Sequence, residues 1–308
     1  MKRTVSTLRL SSRREFIAQA LGSAAGLAAM GSLIPRDLRG AAAADPPAPQ
    51  VRLGFTTYQW GQDWDVPALI ANLQRVGIFG VELRTSQKYA HGVEVATGAG
   101  QRREVRKRFA DSPIRLVGIA SGERLDWPEP EKLEAAIQSI QQHIRLSRDV
   151  GASGVRVFPN QWHPNVPRET TMAQIARALD RIGLFAAEHG QEVRLEAHGP
   201  AGQLQTLRTI MDQVTSPAVR LMLNSDARDT QDPGFEANFN RVKSLLARAL
   251  HLHNLKDSRF PYQLQLDLLR RNRWDGWALL ELSDRVTDRI AGLIEQREIW
   301  DAMMAKSA

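Results

Sequence analysis

Val193-Arg-Leu-Glu-Ala-His-Gly199, Val219-Arg-Leu-Met-Leu-Asn-Ser-Asp226, Ala249-Leu-His-Leu-His-Asn254 and Trp277-Ala-Leu-Leu-Glu281 are short apolar runs, each closing on a polar side chain. Runs of this length and composition read as buried strands, and each precedes a segment with helical spacing. In a (β/α)8 barrel all strand C-termini open onto one face, and active sites sit there. Glu196, Asn224, His253 and Glu281 stand at those strand ends. Together they make a nitrogen and oxygen ligand set for one divalent metal.

The preceding part of the chain continues the alternation. Strands are expected at 51–57, 80–84, 115–120 and 154–158, with helices near 66–76, 102–109, 130–150 and 171–188. Further helices are expected near 204–213, 235–246, 261–271 and 286–304. Such alternation indicates parallel βαβ units, and eight of them in one domain favour a closed TIM barrel over an open sheet. No Gly-x-Gly-x-x-Gly follows the first strand, which argues against a dinucleotide site. Gly77, Gly151, Gly190 and Gly276 precede or open strands and are expected as helix C-caps. The stretch 85–101 has little periodicity and is expected to be a loop over the active-site mouth.

The N-terminus reads differently. Ser11-Ser-Arg-Arg-Glu-Phe-Ile17 sets paired arginines before an Ala/Gly-rich stretch, and Ala42-Ala-Ala44 offers small residues for cleavage. This is the pattern of a twin-arginine export signal over 1–44, implying the twin-arginine translocase as partner and a periplasmic or exported product. The competing reading is an uncleaved membrane anchor, but Gln19 and Ser23 interrupt the apolar stretch. Cleavage would leave no stable membrane insertion. Residues 45–50 read as a linker and 51–308 as the barrel domain. The chain carries +7; residues 1–44 hold seven basic and two acidic residues, which leaves +2 for the remainder. The basic balance therefore belongs to the leader and gives no argument for nucleic-acid binding. There is no cysteine, and a domain of this size buries a core without disulfides.

Gly80-Val-Glu-Leu-Arg84, Leu195-Glu-Ala-His198, His251-Leu-His-Asn-Leu-Lys-Asp257 and Leu279-Leu-Glu281, in this order and at strand ends, resemble the sugar phosphate isomerase/epimerase superfamily, the xylose isomerase-like barrels. In epimerases of that group a metal is held by Glu, Asp, His and Glu from strands five to eight. The resemblance puts these roles at Glu196, Asn224, His253 and Glu281. Asn224 departs from the usual Asp: its amide oxygen can bind a hard cation but brings no charge, and Asp226 is the alternative ligand. Mn²⁺ suits the set best, with Co²⁺, Mg²⁺ or Zn²⁺ as alternatives.

The chemistry implied is proton transfer next to a carbonyl, with Glu196 and Glu281 exchanging a proton with carbon on opposite faces. An isomerase or epimerase acting on a keto-sugar is the leading reading. A lyase acting on a 3-keto-glycoside by β-elimination and a non-catalytic sugar-binding barrel are the alternatives. Abasic-site endonucleases share this barrel, but seven scattered histidines do not suggest their multi-zinc cluster. Glu82, His91, Asn160, His198, Lys256 and Trp60 are expected to contact a carbohydrate substrate, and His163 is a further candidate. His251 is expected to lie deeper and be structural, and His143 and His189 to lie on helix surfaces. The sequence leaves the sugar and the oligomeric state open.

Overall fold

The computed structural model describes residues 49–307, so the export segment 1–44 and most of the linker lie outside the described residues. Eight strands and eight helices alternate. The strands are β1 (Val51–Thr56), β2 (Gly80–Arg84), β3 (Arg115–Arg124), β4 (Gly154–Phe158), β5 (Glu192–Glu196), β6 (Val219–Met222), β7 (Ala249–Leu252) and β8 (Gly276–Leu280). The helices are α1 (Val66–Val76), α2 (Ala99–Ala110), α3 (Pro130–Val150), α4 (Arg168–Glu188), α5 (Leu204–Met211), α6 (Phe235–Val242), α7 (Tyr262–Arg271) and α8 (Arg289–Lys306).

The strands pair in parallel in the order β6-β5-β4-β3-β2-β1-β8-β7. The two ends of that order meet at a thin seam. Leu221 bridges Leu246, Ala247 N donates to Leu221 O at 2.7 Å, and His251 N donates to Leu223 O at 2.9 Å. The nearly closed barrel leaves little free strand edge. No helix among the described residues is long and apolar enough to cross a membrane.

Local sequence explains the elements. The side chain of Asp65 accepts from Ala68 N at 2.8 Å, Pro67 sits in the first turn of α1, and Val66, Leu69, Leu73 and Val76 form its buried stripe. Gly77 and Gly151 close α1 and α3 at positive φ, as expected of C-caps. Gly276 does not cap a helix. It opens β8, where a Cβ would stand 2.4 Å from the Trp274 ring and 2.7 Å from Arg248 O, so packing rather than backbone freedom requires glycine.

Two expectations are corrected and one is narrowed. β3 runs on to Arg124, whose backbone registers with Phe158 of β4. Of the 85–101 stretch, Tyr89 approaches Tyr58, Arg84 and Glu281 at the central mouth. Arg102 ties the stretch down through Thr97 O (2.8 Å), Val95 O (2.6 Å) and Asp149 (2.9 Å), and His91, Gly92 and Thr97 line a side hollow with Asp65 and Val66. His143 is not at the surface: it is buried under α3, with Nδ1 2.8 Å from Ser139 O, and burial lowers its pKa. His189 is half-buried and stacks on Phe185.

Candidate active site

Several strands place charged residues inside otherwise apolar runs, and these meet within the barrel. At the lower level Arg194 donates to Val117 O (3.2 Å) and Ser153 Oγ (2.9 Å) and pairs with Glu192 (2.8 Å). Gly118 makes this possible, because a Cβ there would lie 2.5 Å from Arg194 Nη1 and 3.2 Å from Glu82 Oε2.

Above it lies an ionic layer. His251 Nε2 stands 2.8 Å from Glu82 Oε1, and His251 Nδ1 stands 2.9 Å from Glu196 Oε1 and 3.6 Å from Glu281 Oε2. Burial alone would push the imidazole pKa down, but Glu281, Glu196 and Glu82 outweigh it and push it up to about 10. Glu196 shows the converse: burial opposes its charge, yet Arg156 and His251 hold it at about 2. Glu82 is lowered in the same way, burial being outweighed first by His251 and then by Arg156 and Arg194.

Glu196 and Glu281 are used alike. Each turns one oxygen toward His251 Nδ1 and the other toward an arginine. Glu196 Oε2 faces Arg156 Nη1 at 3.0 Å, and Glu281 Oε1 faces Arg84 Nη1 at 3.4 Å. Both guanidiniums lie over aromatic rings, Arg156 over Phe158 (4.1 Å) and Arg84 over Tyr58 (4.4 Å).

The donor set fits a cation at this point. Ligand atoms of Glu196, His251 and Glu281 all lie within 4.8 Å of one another. Asn224 Oδ1 is buried without a hydrogen-bond partner, and so is Glu196 Oε2, whose approach to Arg156 is an ion pair without hydrogen-bond geometry. Two carboxylates, one imidazole and one amide oxygen suit a borderline or hard divalent ion. Glu82 would act on that ion through the ring it holds.

The expected site residues divide by position. Glu196, Asn224, His253, Glu281 and His198 line one cavity of about 310 Å³, together with Asp226. His251, expected to be deeper, is the histidine whose ring stands among the carboxylates; His253 is half-buried on the cavity wall just past β7. Asn160 reaches the site through His198, Oδ1 to Nδ1 at 3.1 Å. Glu82 lies beneath, against His251. Trp60 is buried, donates to Asp284 O (2.8 Å) and packs on Gly292, outside the cavity lining. Burial lowers the pKa of His91, and its Nε2 bonds Arg84 O (3.0 Å), so it braces the strand end that carries Arg84. Lys256 is exposed and pairs with Glu295 of α8 at 2.8 Å. His163 pairs with Asp126 at 3.0 Å.

Arg84, Arg156, Tyr58, Phe158 and Arg228 also line the cavity and were not expected there. The signal was present in Gly154-Val-Arg-Val-Phe158. An arginine in the middle of a strand buried on both faces must face either the barrel interior or the helix layer, and Phe158 shares its face two residues on.

A second cavity of about 340 Å³ adjoins the first, sharing Asp226, His253, Glu281 and Ser283, and continues past Asn254, Asp257 and Tyr262. The wall thus combines carboxylates, guanidiniums, amides and aromatic faces, a surface able to bind a polyol and to move a proton at a carbon set between the two glutamates.

Solved structures share this architecture. The E. coli 3-keto-D-glucoside 4-epimerase YcjR superposes with a TM-score of 0.70 at 12% identity, over 82% of this chain and 100% of that one. An L-ribulose 3-epimerase gives 0.69 at 15% identity over 84% and 96%. A D-psicose 3-epimerase solved in the presence of D-fructose gives 0.66 at 15% over 83% and 98%. Likeness at this identity shows the fold. No curated protein sequence matches the chain. The family described as the xylose isomerase-like TIM barrel matches residues 70–303, and the chain belongs to that family.

Proposed function

We propose that the protein is a divalent-metal-dependent isomerase or epimerase of keto-sugars. The observation that carries this is the cluster of Glu196, His251 and Glu281 at the C-terminal ends of β5, β7 and β8, with the unpartnered Asn224 oxygen beside it. Sugar epimerases among the structural neighbours support the same class. We assign the histidine ligand to His251 in place of His253, because His251 Nδ1 faces both glutamates. Mn²⁺ is the proposed ion, on the chemistry of the donor set.

A divalent cation held by Glu196, His251 and Glu281 would supply Lewis acidity toward a substrate carbonyl. The chain's own residues supply the rest. Glu82 accepts from His251 Nε2, which leaves Nδ1 to face the ligand position. Arg156 and Arg84 hold the outer oxygens of Glu196 and Glu281, fixing both carboxylates. One of these, ionised, takes the proton from the carbon beside the carbonyl. The other, entering the cycle with a proton from solvent, delivers that proton on the opposite face, so configuration inverts with no change in mass and the two carboxylates exchange protonation state. His198, steadied by Asn160 and stacked on Phe158, is placed to bond a hydroxyl.

The two-lobed cleft favours a second reading. A substrate with a ring on each side of Glu281 would place a leaving group in the adjoining cavity. Loss of the same proton followed by expulsion of that group is β-elimination from a 3-keto-glycoside. For both readings residues 1–44 remain proposed as a twin-arginine signal delivering the protein to the periplasm.

The test is carbon-bound hydrogen exchange in D₂O with Mn²⁺-loaded protein and a panel of ketoses and 3-keto-glycosides. Exchange with an isomer of unchanged mass supports the epimerase, and exchange with release of an aglycone supports the lyase. Binding of a sugar with neither leaves a non-catalytic binding barrel.

A further inference from the structure

The cavity wall has an unusual charge pattern. Three guanidiniums, Arg84, Arg156 and Arg228, face three carboxylates, Glu196, Asp226 and Glu281. Arg228 is fully engaged, bonding Asp226 through Nε (2.9 Å) and Nη2 (2.6 Å) and Gly199 O through Nη1. The other two are not. Arg156 is 2% exposed, yet its Nε has no partner, and its only ion pair uses Nη1. Arg84 uses Nη1 alone, toward Glu281. Each is stacked on an aromatic ring, so its fork is already oriented.

Burying a cation with donors left over is costly unless a ligand completes it. What the wall leaves open is geometric: Arg84 and Arg156 keep N–H donors with no protein acceptor at the cavity where a substrate would lie.

We infer that the substrate of this cavity is an acidic sugar, one carrying a carboxylate, and that Arg84 and Arg156 bind that carboxylate. This inference rests on the reading of the cavity as a sugar site. It separates this protein's cavity from one suited to neutral ketoses. Planar, stacked guanidiniums match a carboxylate through paired hydrogen bonds, and neutral hydroxyls gain less from them.

The experiment is a ligand-observed NMR titration of the full barrel, metal-free and Mg²⁺-loaded, with D-glucuronate, D-glucose and D-glucose 6-phosphate. Glucuronate is expected to bind at least ~10-fold more tightly than glucose, a charge-assisted bond's worth of affinity. Arg84→Gln, at a partly exposed position, is expected to abolish that preference, lowering glucuronate affinity at least ~10-fold more than glucose affinity. Arg156→Lys keeps the charge but not the fork, and is expected to lower glucuronate affinity roughly 10-fold with circular dichroism unchanged. Equal affinity for glucuronate and glucose, or equal losses for both sugars in Arg84→Gln, overturns the inference and leaves the sugar-site reading standing. Tighter binding of the phosphate ester than of glucuronate overturns the carboxylate assignment. Binding of none of the three, with or without Mg²⁺, overturns the sugar-site reading as well.

Discussion

His251 Nε2 lies 2.8 Å from Glu82 Oε1, although the two residues belong to β7 and β2, three strands apart around the barrel. The contact crosses the barrel interior and fixes the imidazole plane. It also settles which ring nitrogen faces Glu196 and Glu281. A ligand whose other nitrogen is held by a carboxylate is more basic and better oriented than a free one.

Removing that partner therefore acts on the ion without touching its ligands. Glu82→Ala is expected to weaken Mn²⁺ binding about 10–100-fold, the usual effect of losing a carboxylate behind a ligating histidine. Metal titration followed by calorimetry measures it. Affinity equal to the parent protein would leave Glu82 as an internal ion pair only.

The two histidines of β7 and its exit separate by metal content. His251→Ala is expected to retain no stoichiometric metal after dialysis, while His253→Ala retains it. Elemental analysis of both variants decides, and the reverse pattern would return the ligand role to His253.

Asn224 offers a gain rather than a loss. Its Oδ1 is buried and unpartnered, so the position is open to an oxygen ligand that carries charge. Asn224→Asp is expected to raise Mn²⁺ affinity on the order of tenfold, since ligand charge tunes affinity for hard cations. Competition with a chromophoric chelator reads this directly. A fall in affinity would place residue 224 outside the ligand set.

Much of this was legible before the fold was seen, because it follows from periodicity. A polar residue closing an apolar run marks a strand end in four places, and eight apolar runs alternating with amphipathic segments favour a barrel. What the sequence hid is depth. His251 and His253 share a strand face by spacing, so alternation alone does not say which one meets the carboxylates; that depends on strand stagger around the barrel. Partners were hidden for the same reason. Arg156 and Glu196 lie forty residues apart on β4 and β5 and meet only because those strands pair. Trp60 and Lys256 looked like sugar contacts because they follow strands, yet one packs into the β8–α8 connection and the other pairs with α8.

Asp229 gives a pH dependence from a group outside the cavity lining. Burial, reinforced by Asp226, pushes its carboxyl from 3.8 up to about 8, and its Oδ2 has no partner. The folded protein thus holds a proton that the unfolded chain has released, so this contribution is complete below pH 3.8 and is lost as pH rises through about 8. Asp229→Asn cannot titrate. Its melting temperature at pH 8.5 is expected to exceed the parent's by at least ~3 °C, the shift about 1 kcal/mol gives in a domain of this size. At pH 4 the advantage should vanish. Parallel melting curves across that range would show that Asp229 is not protonated in the fold.

Glu281 is the residue on which chemistry and binding separate most cleanly. It is the more accessible of the two glutamates at His251 Nδ1, 13% exposed against 1% for Glu196, and it borders both cavities. A proton carrier must reach a substrate carbon, and this position does. Glu281→Gln preserves shape and an oxygen, so sugar binding should persist within a few-fold. Turnover is expected to fall about 10²–10⁴-fold, the size of a general acid–base contribution, and further if metal is also lost. Adding excess Mn²⁺ separates the two causes: a loss due to metal recovers with saturating ion, and a loss of proton transfer does not. Deuterium incorporation should fall in step with turnover in either the epimerase or the lyase. Turnover unchanged in metal-saturated Glu281→Gln would remove Glu281 from proton transfer and leave Glu196 to act with another base.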